Sequence, residues 1–318
     1  MLKKIFFLSV SVLILLSACA TPAETTVVDS VVEDGSTTPT KIAQADANTA
    51  IDEESTVEES LAVTATPRPP LEPDAWMEMP VVPDVSDATR EIHARGQEMG
   101  NDPQVFSKIG DCQNVSSLFL GVFEDSEEFS LGDEYAYLEE TIQYFDGSFS
   151  RESLAVKGGY NVAAILSPLR ADKENCESGE SPVACEIRAN NPSYVIISLE
   201  EWWADKPAEE YEAYLKRIVE HAIAEGVVPI LATKADDLEG DNGINQAIAR
   251  VAYEYDIPLW NFWLAVQPLP NHGLSEDGFH LTFARNFFDD PARMESAWPW
   301  RNLTALQTLD AVRRGVTE

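Results

Sequence analysis

Two short, nearly continuous apolar runs constrain this chain most. YVIISL (194–199) and VVPILAT (227–233) show no alternation of polar and apolar residues. A strand with one wet face must alternate, so such runs are strands covered on both faces, as in parallel sheets. Between them, residues 207–225 carry Tyr211, Leu215, Ile218 and Ala222 at helical spacing, opened by Pro207 and closed by Gly226. Strand, helix and strand in that order make a βαβ unit. The alternation extends both ways. Residues 104–109 and 257–262 read as strands, while 135–145, 160–169, 243–255 and 302–316 read as helices, the last amphipathic. The predicted fold class is α/β: a three-layer α/β/α sandwich with a central, mostly parallel, flavodoxin-like sheet.

Upstream the composition changes. Residues 19–85 are rich in Thr, Ala, Glu, Asp and Pro, and Trp76 is the first aromatic after the leader. TATPRPPLEPD (64–74) reads as extended, polyproline-like chain. Such a segment buries too little apolar surface to offset its ordering entropy. It is predicted to be a disordered acidic stalk, followed by one globular domain over 86–318. The whole chain has 55 acids against 22 bases, a formal charge of −33. That surface repels phosphate backbones, which excludes nucleic-acid binding, and it disfavours docking on an anionic leaflet. The chain has no Gly-rich phosphate loop, CxxC pair or HExxH, so no cofactor and no metal are expected. The acidic run DDLEGDN (236–242) lacks the EF-hand spacing and reads as a solvated turn after a strand.

The amino terminus reads as an address. Lys3 and Lys4 precede an apolar stretch, 5–16, that is short for a spanning helix. Leu16-Ser17-Ala18-Cys19 follows at once and resembles the lipobox of bacterial lipoproteins. The resemblance implies a signal peptide over 1–18, cleavage before Cys19, and acylation of that thiol with chains such as palmitate. The protein would then be tethered by lipid to the extracytoplasmic face of the cell membrane, with membrane lipid as its partner through Cys19. An exported chain meets oxidising conditions, so cysteine pairing is expected. Cys176 and Cys185 are nine apart, with Gly179 and Pro182 between them in what reads as a loop. They are predicted to form a disulfide, stabilising by roughly 2–3 kcal/mol through loop closure. That leaves Cys112, either a buried inert thiol or a nucleophile.

Cys112 lies in SKIGDCQ (107–113), directly after a predicted strand, where open α/β sheets place function. Far downstream stands DGFHLT (277–282). Asp277 and His280 are three apart, so one turn can set the carboxylate against one imidazole nitrogen. The carboxylate would fix the tautomer and leave the other nitrogen to face a nucleophile. Cys112, His280 and Asp277 thus compose a candidate triad.

The pattern resembles the SGNH/GDSL hydrolase family. Gly110-Asp111-Cys112 is similar to its Gly-Asp-Ser block, and Gly158-Gly159 to the block whose glycine donates a backbone N–H to the oxyanion. EHAIAEGVVPILAT (220–233) is similar to its helix–Gly–strand unit, and Asp277-Gly278-Phe279-His280 to its closing Asp-x-x-His block. The resemblance spans about 103–315 and implies an ester hydrolase with an oxyanion hole from the N–H groups of Cys112 and Gly159. Two departures stand out. The nucleophile position holds Cys112 instead of Ser, and Glu200, Glu201, Trp202 and Trp203 occupy the place of a Gly-x-Asn-Asp block. Trp202 falls where the family has an oxyanion-donating Asn, and the loss of such a donor typically costs about 10²–10³ in rate. Glu200 and Glu201 would also bring negative charge towards the oxyanion.

Two readings therefore stay open. One is a hydrolase of acyl or acetyl esters, such as those on envelope glycans, using Cys112. The other is a catalytically dead pseudoenzyme, an anchored carbohydrate- or ligand-binding module in which Trp202 and Trp203 stack on sugar faces. Asp111, Lys234, Asp236 and His272 are further cleft candidates by their places after strands or beside the Asp277 block. Trp260, Phe262 and Trp263 are expected to pack beneath the site, and His93 to lie on a helix near the stalk.

Overall fold

The computed structural model describes residues 68–200 and 206–317. Four parallel strands form the central sheet in the order β1 (Asp102–Gly110), β3 (Pro192–Ser198), β4 (Val228–Ala232) and β5 (Leu259–Trp260). Phe106 lies opposite Tyr194, and Tyr194 opposite Val228. Every residue of β3 and β4 is buried, whichever way its side chain points. Both faces are therefore covered, as the unbroken apolar runs require. A separate two-stranded parallel pair joins β2 (Phe129–Ser130) to β6 (Asn286–Phe287).

The helices are α1 (Asp87–Met99), α2 (Glu139–Tyr144), α3 (Pro182–Asn190), α4 (Ala208–Ala224), α5 (Gly243–Tyr255), α6 (Phe262–Val266) and α7 (Ala297–Gly315). α4 and α5 follow successive strands and meet side by side, with Arg250 Nε donating to Glu212 Oε2 at 2.9 Å. α4 ends where Gly226 takes a φ of +68°, and Val227 N donates to Ala222 O at 2.9 Å. This is the left-handed cap that glycine adopts without penalty. Gly226 is also where α1 crosses: a Cβ on Gly96 would lie 2.1 Å from Gly226 O.

Three expectations are corrected. Residues 160–169 form no helix, only 3₁₀ turns at Ala164–Leu166 and Pro168–Arg170. Asn161 Oδ1 accepts from the N–H groups of Ala163 and Ala164 and so competes with a helical ladder. The stretch between the paired cysteines is not all loop, because Cys185 lies on α3, which is capped by Ser181 with Pro182 at its first position. The Cys176–Cys185 disulfide is present, with an S–S separation of 2.04 Å. The last helix starts at Ala297 instead of 302 and buries residues around its whole circumference, polar ones included, so it is not amphipathic.

The folded part also begins earlier than residue 86. Trp76 is 1% exposed and meets Trp263 edge-on at 4.9 Å. Asn261 Nδ2 donates to Trp76 O and Met79 O at 2.8 and 2.9 Å, and Asn261 N donates to Val81 O. The apolar residues Trp76, Met77, Met79 and Val81 explain this: they supply the burial that the Thr/Pro-rich sequence before them lacks. The earlier part of the predicted stalk, the leader and Cys19 lie outside the described residues. Among the described residues no helix is long and apolar enough to cross a membrane.

A chain beginning at residue 86 loses the Trp76 anchor and three acceptors of Asn261. It is expected to be less stable than one beginning at residue 68 by about 3–5 kcal/mol, the usual cost of removing a buried Trp. Urea unfolding of both chains followed by tryptophan fluorescence checks this, and equal midpoints would contradict it.

Candidate active site

The turn that carries Cys112 is built at the carboxyl end of β1. Asp111, fully buried, caps a 3₁₀ turn over Cys112–Asn114, its Oδ1 accepting from Gln113 N at 3.0 Å. Its Oδ2 accepts from Glu200 N at 2.8 Å, which ties the ends of β1 and β3 together. Gly110 is required by close approach: a Cβ there would lie 2.2 Å from Asn114 Nδ2, which donates to Ser198 O at 2.8 Å. The outer edge of β1 is covered by a loop, with Gly110 N donating to Ala155 O and Lys157 N to Gly110 O. β1 is thus an edge strand of the four, not one flanking a reversal of strand order. The same loop brings the glycine pair to the cysteine. A Cβ on Gly158 would stand 3.7 Å from Cys112 Cβ, ordinary contact, and Cys112 is half-buried. Gly159 follows with a φ of +80°. Among the described residues its N–H has no acceptor.

Asp277 and His280 form a second constellation. Asp277 Oδ2 lies 2.6 Å from His280 Nδ1, while Oδ1 accepts from the N–H groups of Phe279 and His280. The His280 contact, helped by those two N–H groups, holds the Asp277 carboxyl down to about 2. The carboxylate therefore stays ionised across ordinary pH and favours the tautomer with the proton on Nδ1. Both side chains are about half exposed. An antiparallel bridge between Leu274 and Leu281 holds the turn.

A buried charge cluster, largely invisible in the sequence, underlies the Cys112 turn. Glu200 Oε1 lies 2.8 Å from Arg301 Nη1, and Oε2 accepts from Gln113 Nε2 at 2.7 Å. Arg301 is fully buried on α7, and its guanidinium stacks within 6 Å of the rings of Phe119, Trp260, Phe262 and Trp298. The expectation that Glu200 sets free negative charge beside an oxyanion is therefore corrected. Its carboxylate faces a cation in the core. Burial pushes the Glu200 carboxyl up, with Arg301 opposing.

Lys234 and Asp236 are not open to a cleft. Both are almost fully buried and bonded at 2.6 Å, and Lys234 reaches Glu239 at 2.7 Å. Burial alone would lower the Lys234 pKa, but Asp236 and Glu239 outweigh it and the net shift is upward. Burial raises the Asp236 carboxyl against the pull of Lys234.

The remaining candidates fall elsewhere. His272 is exposed, with Nδ1 3.1 Å from Gln267 O. His93 is buried on α1 against Tyr194 Oη at 3.2 Å. Trp260 and Phe262 are buried, while Trp263 is half-buried beside Trp76. Trp202 and its neighbours Glu201 and Trp203 lie outside the described residues. The carboxylates of exposed Asp237 and Asp241 and half-buried Glu239 approach one another within 4.8 Å. Their oxygens accept from loop N–H groups and from Lys234, so the turn explains them.

A cavity of about 430 Å³ opens beside these elements. Ser116, Ser117 and Leu118, just after the Cys112 turn, line it together with Phe283, Arg285 and Asn286, just after His280. Asn302 of α7 fixes the junction, accepting from Leu120 N at 2.7 Å and donating to Asn286 Oδ1 at 2.9 Å. Its volume falls in the range of about 300–1,000 Å³ usual for small-molecule sites.

No protein-family model matches the chain, and no curated protein matches it. The solved structures similar to it include TesA, at 15% identity over 65% of this chain and 99% of that one, with a TM-score of 0.40. Another is the psychrotrophic esterase EstA from Pseudoalteromonas, at 12% identity over 68% and 100%, TM-score 0.40. A third is the acetyl-xylooligosaccharide esterase Axe2 from Geobacillus, at 15% identity over 66% and 94%, TM-score 0.39.

Replacing Arg301 by Met strands the Glu200 carboxylate in the core. The expected loss is about 3–5 kcal/mol, and adding Glu200→Gln should recover a large part of it, because an unpaired buried charge costs more than an absent pair. Denaturant midpoints of the two single variants and the double variant decide. A double variant no better than Arg301→Met would show that the pair is not what matters.

Proposed function

We propose that this chain is an ester hydrolase of the SGNH/GDSL kind, tethered to the membrane through acylated Cys19, with Cys112 as nucleophile. The observation that carries the chemistry is the Asp277–His280 pair, at 2.6 Å on a half-exposed turn. Asp277 occupies Nδ1, so Nε2 is left as the base, and among the described residues it has no partner. In the proposed reaction Nε2 takes the Cys112 thiol proton and the sulfur bonds to the ester carbonyl carbon. The N–H groups of Gly159 and Cys112 receive the developing oxyanion. As the C–O bond breaks, the imidazolium returns the proton to the leaving alkoxide. Water, deprotonated by the same nitrogen, then cleaves the thioester and releases the acid.

Supporting this reading are the order of the blocks along the chain, the contact between Gly158 and Cys112, and the cavity that the segments after Cys112 and His280 line together. The substrate fitting this reading is an acyl or acetyl ester, such as one on an envelope glycan. The pseudoenzyme reading draws on one observation, that a half-buried thiol stands in the place of the family's serine.

Hydrolysis of a chromogenic short-chain ester tests the reading. In a chain carrying Ser116→Ala, which removes the buried hydroxyl at the cavity wall, Cys112→Ala and His280→Ala should each lower kcat/KM by roughly 10²-fold or more, and the double variant little further, because the two act as a unit. Undiminished turnover in Cys112→Ala would reject Cys112 as nucleophile. A folded domain inert to esters that retains glycans would favour the binding module. For the anchor, labelling of cells with a palmitate analogue should tag the full chain, and Cys19→Ser should abolish the tag. Equal labelling of both would reject lipidation at Cys19.

A further inference from the structure

Lys108 stands in the interior of β1 and is 2% exposed. Its Nζ donates to Phe149 O at 2.8 Å and to Ser116 Oγ at 2.8 Å, and it forms no ion pair among the described residues. A buried lysine without a carboxylate partner is uncommon, because the charged form is costly away from water. Ser116 Oγ in turn donates to Arg151 O at 2.9 Å, and Ser116 lines the cavity of about 430 Å³. A hydroxyl bonded to a desolvated amine, at the wall of a cavity, is the arrangement that activates a serine without histidine.

We propose that Ser116 and Lys108 form a second acyl-transfer centre, acting on neutral carboxylic esters bound in that cavity. The hydroxyl rotates from Arg151 O to the neutral Nζ, which takes its proton while Oγ bonds to the ester carbonyl carbon. The resulting ammonium donates that proton to the alkoxide as the ester C–O bond breaks. Water attacks the acyl-serine with Nζ again as base, and the carboxylic acid leaves. The hold of Phe149 O on Nζ keeps the amine aimed at Oγ throughout.

The surroundings fit the base and the substrate. Burial lowers the Lys108 pKa to about 8, against opposing pulls from Glu152, Glu186 and Glu124, with Arg151 adding to the lowering. The Arg151 guanidinium is engaged by Phe106 O, Ser107 Oγ and Glu186, so it does not contact the amine. An amine titrating near 8 is part neutral at physiological pH and mostly neutral above it. Leu118, Val122, Phe283 and Trp298 give the cavity apolar walls, and Asp125, Glu128, Glu152 and Arg285 stand at its lining. Apolar walls suit an uncharged ester. This centre does not use Cys112, His280 or Asp277, so it stands or falls apart from the function proposed above.

A fluorophosphonate probe, which modifies activated serines, tests the proposal on the purified full chain with mapping by peptide mass spectrometry. Ser116 should be labelled, at a rate that rises with pH through a midpoint near 8, because the base must lose its proton. Lys108→Met should lower that rate by about 10²-fold or more. The pH midpoint in the unmodified chain decides even if Lys108→Met fails to fold. Absence of label on Ser116 at pH 9, or labelling with no midpoint between pH 7 and 9, would overturn the proposal.

Discussion

One buried contact organises the carboxyl end of the central sheet: the pairing of Arg301 with Glu200. Arg301 comes from α7 and Glu200 from the carboxyl end of β3, so the pair fastens the last helix to the sheet. A buried ion pair is weak evidence for net stability, because desolvation consumes most of its attraction. Its effect here is geometric. Four aromatic rings around the guanidinium leave it little freedom. Glu200 is therefore fixed, its N–H fixes Asp111, and its carboxylate fixes Gln113. Cys112 sits between those two residues in the chain. Its position is thus set by a helix nearly two hundred residues downstream.

The same end of β1 carries a second set of constraints. Gly110 admits the Asn114 side chain, Ser153 Oγ donates to Lys108 O at 2.6 Å, and Lys108 holds Ser116 and the 149 carbonyl. Polar groups that would be costly alone are satisfied in series, and the loops around the strand are ordered by that requirement. Cys112 and Ser116 consequently sit within one turn of chain, the first half-buried on its 3₁₀ turn and the second bonded to the buried Lys108 amine. Further along the sheet the Lys234 ammonium is held by two carboxylates, Asp236 and Glu239.

Legibility in the sequence followed the strength of the local signal. The strands at 192–198 and 228–232 were readable because continuous apolar runs have few alternatives, and α5 because its apolar stripe is unbroken. α3 was missed because it is short and starts inside the disulfide loop, and the 3₁₀ turns near residue 165 were overread because apolar residues there bury without a helix. The order of the candidate blocks and the Asp277–His280 spacing were legible, since an interval of three fixes a local turn. Arg301, Gln113 and Asn114 were not, although an Arg-Asn pair inside an apolar helix is a signal that such side chains have buried partners. Lys108 gave a similar signal, a lone lysine in a strand interior.

The amino-acid sequence alone determined the layered α/β class, the main parallel strands and the Cys176–Cys185 crosslink. Each is written in local periodicity or in short separations along the chain. Tertiary structure alone decided which charges are neutralised in the core, where the packed domain begins, and which residues line the cavity. Those outcomes depend on side chains brought together from distant segments, and the energy of a buried charge or a buried Trp is set by its neighbours in space.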